Sequence, residues 1–181
     1  MVDNAALYRG WVSNPDGGGF AYVNEKGEVV IEKGFMKYGA FQKAYEQAAE
    51  KYADSSPFLV HMRITTSGGT NPYNTHPFRV KGGAMIHNGV LFTPTGKLAE
   101  GKGKNMKSDT HVLTTVLHNV LTREEVKAAR DAIGDVIGYN KLAFLYDNKE
   151  FVIVNEDFGS WDKGIWYSND SCEAPTYDRA G

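Results

Sequence analysis

The chain has 181 residues, 41% of them hydrophobic, and its 20 basic and 22 acidic side chains give a net charge of −2. This length predicts one domain with a sizeable core, and the balanced charge argues against nucleic acid or an anionic membrane as the main partner. The single cysteine excludes an internal disulfide framework, and no apolar run is long enough to span a bilayer. These features predict a soluble, cytoplasmic protein.

The first predicted element is a β-hairpin, which follows a glycine-rich turn at 14–19. Its strands are 20–23 and 28–32, and the turn at 25–27 connects them. Apolar residues at i, i+3, i+4 and i+7 then predict an amphipathic helix over 39–53.

Three strand-like runs follow this helix. Residues 58–63 alternate with the period of a strand. The runs 84–87 and 90–92 flank Asn88 and Gly89, and this pair is typical of a type I′ turn between hairpin strands. We therefore expect a second hairpin here.

The C-terminal half alternates helices with strands. Apolar residues from Val112 to Leu121 form a helical stripe, with Ser108 or Asp109 as its N-cap. Thr122 begins a capping-box pattern for another helix, which we expect to end near Gly134. The closing strands are predicted at 142–146, 151–154 and 165–167. This order predicts an α+β fold with helices packed on mostly antiparallel sheets.

Taken one at a time, the polar residues with functional potential also have structural explanations. Arg63 is either a solvated or ion-paired residue at a strand end, or a bidentate clamp for a carboxylate. Asp109 is either a helix cap or a partner for an ammonium group. Asp16 is by default a turn residue. Asn88 and Gly89 form either the turn described above or an oxyanion hole.

The five histidines do not have the spacing of a known metal motif, so we predict no metal site. A minor alternative is a metal-dependent hydrolase that uses His61, His76 and His87.

Five short motifs are more specific in their order than any one of them is alone. They are Asp-Gly-Gly-Gly-Phe-Ala at 16–21, His-x-Arg-x-x-Thr-x-Gly at 61–68, His-Pro-Phe at 76–78, His-Asn-Gly at 87–89 and Ser-Asp-Thr at 108–110. In this order they resemble the class II glutamine amidotransferase domain, an N-terminal-nucleophile hydrolase with an αββα sandwich. The resemblance implies one such domain over 1–181, without a synthase domain.

The resemblance implies a site for glutamine or a similar amino acid, with no cofactor. Arg63, supported by Thr66 and Gly68, would bind the α-carboxylate, and Asp109 would bind the α-ammonium. Ser67 departs from the pattern, because a histidine or another residue commonly stands at that position in the family. Any ammonia released would go to water or to a separate ammonia-accepting protein.

The resemblance further implies that Asn88 and Gly89 form the oxyanion hole for attack by a cysteine at the mature N-terminus. The sequence begins Met-Val-Asp, so we expect the strand that carries this nucleophile to be missing and 4–11 to be the helix or loop after it. Two explanations remain open: the true start lies upstream and the protein is longer, or the chain has lost its catalytic strand. Cys172 is expected to be incidental. The chain should then bind glutamine without hydrolysing it. The alternative is a non-catalytic binding or interaction protein on the same fold.

Overall fold

The computed structural model describes residues 1–93, 96–97, 106–117 and 122–173. Within these ranges the chain is an α+β protein with antiparallel strand pairing, as predicted. The α-helices are α1 (Asn4–Ser13), α2 (Tyr38–Tyr52), α3 (Asp109–Leu117), α4 (Arg123–Ala128) and α5 (Arg130–Ile137). The strands are β1 (Gly18–Val23), β2 (Val29–Phe35), β3 (Leu59–Met62), β4 (Phe78–Val80), β5 (Gly83–Asn88), β6 (Phe92–Thr93), β7 (Gly96–Lys97), β8 (Lys141–Tyr146), β9 (Phe151–Val154), β10 (Ser160–Asp162) and β11 (Ile165–Tyr167).

Two sheets form the centre of the molecule. The first has the order β2-β1-β3, and the second has the order β4-β5-β8-β9. The short pairs β6-β7 and β10-β11 lie outside both sheets. Pairing of Tyr22 with Val30 in the first sheet confirms the predicted first hairpin.

Along β1 and β8, successive side chains point to opposite faces of the sheet, and both faces are packed against other elements. Phe20 and Tyr22 of β1 pack with residues of α1 and α2, whereas Ala21 and Val23 pack toward the second sheet. On β8, Ala143 shares that middle cluster with Leu145, and the intervening side chains face the helical side.

The resulting layers follow the order helix, sheet, sheet, helix. The outer cluster of the second sheet contains Val126 of α4, and Leu113 of α3 and Ile133 of α5 pack against it. This layering is compatible with the αββα sandwich that the resemblance implies. None of the described helices is long and apolar enough to cross a lipid bilayer.

The second predicted hairpin, around Asn88 and Gly89, is wrong. The strand that ends at Asn88 pairs instead with β4 on one side and with β8 on the other. A type I′ turn needs positive φ at both central residues, but only Gly89 has it, at φ 132°. Asn88 remains in extended backbone as the last residue of β5.

The predicted helix end near Gly134 is also wrong. The capping box at Thr122 is present, but α4 is followed directly by α5, which ends at Ile137 with Gly138 as its C-cap at φ 60°. Gly134 lies inside α5, where Asn155 approaches it too closely for a larger side chain. The predicted helix is present as α3 up to Leu117, and its last positions, with His118, lie outside the described residues.

Candidate functional site

The site begins where β1 and β3 meet. The Asp16 backbone N–H donates to the Arg63 carbonyl at 2.8 Å, and the Arg63 N–H donates to the Gly17 carbonyl at 2.8 Å. The Asp16 carboxylate accepts from the Thr65 N–H at 2.8 Å. Asp16 therefore fixes the end of β3 and the direction of the loop that follows it.

Arg63 is buried, with 4% of its surface exposed, and it is held by that loop rather than by an ion pair. Its Nη1 donates to Thr65 Oγ1 at 2.9 Å and to the Gly69 carbonyl at 3.1 Å, and its Nη2 donates to the Ser67 carbonyl at 2.7 Å. A guanidinium has five N–H groups. The Nε–H and one Nη2–H therefore have no partner among the described residues, and together they can bind a carboxylate.

Burial lowers the pKa of the Arg63 guanidinium, and the nearby carboxylates of Asp16 and Asp109 oppose this effect. Because arginine normally titrates above pH 12, Arg63 keeps its positive charge.

Asp109 is equally buried and is the negative counterpart of Arg63. Its Oδ1 accepts from the Ser67 hydroxyl at 3.1 Å and from the Thr110 N–H at 2.8 Å, and its Oδ2 accepts from the Leu91 N–H at 2.8 Å. Within the described part of the chain it forms no ion pair with a lysine or arginine. Ser108, rather than Asp109, caps α3, because its hydroxyl accepts from the His111 N–H at 3.2 Å.

Ser67 joins the two charged side chains, and the sequence pattern gave no signal for this role. Its carbonyl accepts from Arg63, while its hydroxyl donates to Asp109 Oδ1 and accepts from the Asp109 N–H at 3.2 Å. A cation and an anion are thus held on either side of one residue without contacting each other.

Gly68 lies against the backbone just before α3. It has φ 69°, and a Cβ at this position would lie 2.7 Å from the Ser108 nitrogen. This contact requires glycine, which allows the loop and the helix start to meet. Thr66, the other predicted supporting residue, is exposed at the surface of the same loop.

Asn74 is a buried residue that sequence reasoning missed. Its Nδ2 donates to the carbonyls of Gly69 at 2.9 Å and Met106 at 2.7 Å. Its Oδ1 accepts from the Ser108 N–H at 3.0 Å and lies 3.2 Å from His111 Nδ1. One amide therefore holds the loop after β3 against the segment that leads into α3. An asparagine in a polar loop has no sequence signal that marks it as buried.

Asn88 is the last residue of β5, and Gly89 follows it directly. The Leu91 N–H, two residues beyond Gly89, donates to Asp109 and so ties the segment to the site. Hydrogen bonds and close backbone contacts therefore bring Arg63, Gly68 and Asp109 together, and the Leu91 contact links the segment after Gly89 to Asp109.

Three of the five histidines come together beneath the site. The rings of His61 and His76 stack with centroids 4.0 Å apart, and His87 lies 6.4 Å beyond His76. His76 Nδ1 accepts from the His87 N–H at 3.2 Å, and His61 Nε2 is 3.0 Å from the His87 carbonyl, to which it must donate. Four of their nitrogens, His61 Nε2, His76 Nδ1 and both of His87, bind protein groups, whereas His61 Nδ1 is buried without a hydrogen-bond partner among the described residues. No group of three or more His, Cys, Asp or Glu in the described ranges could hold a metal ion.

A cavity of about 370 Å³ lies beside this cluster, between β3 and the second sheet. His61, His87 and Asn88 line it from one side, and Cys172 lines it from the C-terminal segment. Cys172, which was expected to be incidental, therefore shares a cavity with a predicted site residue. Burial raises the pKa of its thiol, which disfavours the reactive thiolate.

Comparison with known proteins points to one kind of enzyme. The chain is 28% identical over 102 residues to the isomerizing glutamine–fructose-6-phosphate aminotransferase of Brucella abortus. It is 29% identical over 119 residues to the enzyme of the same name from Francisella tularensis. The chain is a distant relative of glutamine–fructose-6-phosphate aminotransferases.

These matches cover 52% and 65% of this chain but only 16% and 18% of the two relatives. No sequence model of a known protein family matches the chain. The similarity therefore concerns a small part of those enzymes, and it supports a glutamine amidotransferase-like protein at that level of detail.

Proposed function

We propose that the chain is a class II glutamine amidotransferase-like domain of the N-terminal-nucleophile hydrolase type, and that it binds L-glutamine or a closely similar amino acid. Arg63 binds the α-carboxylate through its Nε–H and its remaining Nη2–H. Asp109 binds the α-ammonium, and Asn88 and Gly89 receive the side-chain carbonyl oxygen.

The observation that carries the proposal is the separated pair of buried charges. Arg63 and Asp109 are each 4% exposed, and Ser67 holds both without neutralising either by direct contact. A buried charge without an ionic partner costs free energy, and a zwitterionic amino acid supplies both missing partners at once. The word glutamine in the names of the distant relatives agrees with this ligand.

The chain is proposed to bind glutamine but not to hydrolyse its side-chain amide. Attack on the amide needs an activated nucleophile, and burial raises the pKa of the thiol of Cys172, the only cysteine. Ammonia is released only if a nucleophile attacks the glutamine amide. A separate ammonia-accepting protein is therefore proposed as a partner only for a form of the protein that has such a nucleophile. The relatives are named for an amino transfer that involves a sugar phosphate, and we do not propose that activity for this chain.

Titration calorimetry with L-glutamine tests the proposal. The intact chain should bind L-glutamine, and Arg63→Lys and Asp109→Asn should each weaken binding about 10- to 100-fold, because each removes a charge-assisted contact. Arg63→Lys keeps the positive charge but lacks the paired N–H donors of the guanidinium. The loss of affinity in this variant therefore measures the contribution of the bidentate geometry rather than of the charge.

Two surface substitutions of matched chemistry serve as controls. Arg123 of α4 is partly exposed, Asp131 of α5 is exposed, and neither contacts a described residue of the site, so Arg123→Lys and Asp131→Asn should bind as the unaltered chain does. Glutamine binding that is unchanged in both site variants, while thermal unfolding shows them folded, would refute the assignment. Ammonia release above the buffer rate would refute binding without turnover.

A further inference from the structure

Asn140 lies against the predicted oxyanion residue Gly89. In the register of the second sheet Asn88 pairs with Lys141, so the residues just beyond each strand end, Gly89 and Asn140, also meet. A Cβ on Gly89 would overlap Asn140 Oδ1 and would lie 2.8 Å from Asn140 Cγ. The Asn140 side chain therefore occupies the space where a Gly89 side chain would lie, and Gly89 has φ 132°.

Hydrogen bonds fix the orientation of this amide. Asn140 Nδ2 donates to the Ile137 carbonyl at 2.6 Å, so its Oδ1 must be the atom that faces His87 Nε2 at 2.8 Å. Asn155 Nδ2 donates to the Asn140 carbonyl at 2.7 Å and holds the backbone in place. His87 Nε2 must consequently carry a proton and donate it to Asn140.

This tautomer leaves His87 Nδ1 as an acceptor in the neutral ring. The Thr110 hydroxyl lies 2.7 Å from it and donates its single proton there rather than to Asp109 Oδ1, which is 3.4 Å away. The Thr110 N–H, in turn, donates to Asp109 Oδ1. A continuous path of contacts thus runs from Gly89 through Asn140, His87 and Thr110 to Asp109.

We infer that Asn140 is a positioning residue, which acts through His87 to hold the Asn88–Gly89 peptide at a fixed orientation and distance from Asp109. The inference rests on the proposed function, since it assigns Asn140 to the half of the site that receives the side-chain carbonyl. Asn140 itself does not contact the ligand.

A pair of ligands separates this role from general support of the fold. L-Norvaline has the α-carboxylate, the α-ammonium and a side chain of similar length to glutamine, but it lacks the amide. Asn140→Ala should weaken L-glutamine binding about five- to tenfold, the effect of one or two lost hydrogen bonds, and should change L-norvaline binding less than twofold. Asn148→Ala is the matched control at the other end of β8, where Asn148 caps an exposed turn, and should change neither.

Equal losses for both ligands would reduce Asn140 to a structural residue, and unchanged glutamine binding would overturn the inference. If the unaltered chain binds neither ligand, the proposed function fails, and a second measurement decides the inference separately. Long-range ¹H–¹⁵N spectra should show His87 protonated at Nε2 in the unaltered chain and a shifted Gly89 amide in Asn140→Ala. A His87 protonated at Nδ1, or a Gly89 amide that does not move, would refute it without any ligand.

Discussion

Ser67 separates two charges that would otherwise be free to pair. Its carbonyl binds the guanidinium of Arg63, and its hydroxyl both donates to Asp109 and accepts from the Asp109 backbone. A direct ion pair between Arg63 and Asp109 would leave each with less capacity for a ligand. The short side chain suits this position because its hydroxyl reaches Asp109 while its backbone stays bound to Arg63.

Ser67→Ala should therefore weaken both binding and folding by similar free energies. The substitution removes one donor from Asp109 Oδ1 and one acceptor from the Asp109 N–H, which should cost about 1–2 kcal/mol of stability and weaken L-glutamine binding about fivefold. Calorimetry and urea unfolding measure the two effects. Ser55→Ala, at an exposed helix end, should leave both unchanged. Full affinity in Ser67→Ala would show that the loop alone sets the spacing of the two charges.

At the scale of elements, local sequence patterns predicted the parts of the fold that depend on local interactions. The hairpin β1–β2, the amphipathic α2 and the capping box at Thr122 each depend on periodicity or on neighbouring residues, and the structure confirms them. The partners of β5 depend on long-range pairing, and a local Asn-Gly signal cannot report a strand more than fifty residues away. Asn140 was missed for the same reason, because its importance comes from the strand register.

Asn74 provides the test at this scale, because one side chain joins two loops that are far apart in sequence. Asn74→Ala removes one hydrogen bond from each of two carbonyls and the partner of the Ser108 N–H. Three lost hydrogen bonds of about 1 kcal/mol each should lower the free energy of unfolding, measured with urea, by about 3 kcal/mol. Asn24→Ala removes a similar set of side-chain amide hydrogen bonds in an exposed turn. It should lower the free energy of unfolding by less than about 1 kcal/mol. Similar losses in the two variants would contradict this role for Asn74.

At the scale of the whole molecule, the stacked histidines make the fold sensitive to acid. Burial lowers the pKa of His61 to about 3, and it lowers the pKa values of His76 and His87 as well. The positive charges of Lys33 and Arg63 also lower the pKa of His76, whereas the Asp109 charge opposes the effect at His87. His76 Nδ1 must stay unprotonated to accept from the His87 N–H, so a proton there would break that contact.

The unfolded chain binds protons at these histidines below a pH of about 6.5, while the folded chain does not until the pH is much lower. Protons therefore favour the unfolded state, and the free energy of unfolding should fall as the pH decreases from 7 to 5. The expected loss is about 2 kcal/mol for each histidine that stays neutral. Urea unfolding at several pH values above 5 measures this slope before most carboxylates titrate. His61→Phe keeps an aromatic ring in the stack and should reduce the number of protons taken up on unfolding, which sets this slope, by about one. Equal stability at pH 7 and pH 5 would mean that the folded protein takes up these protons without opening the cluster beneath the site.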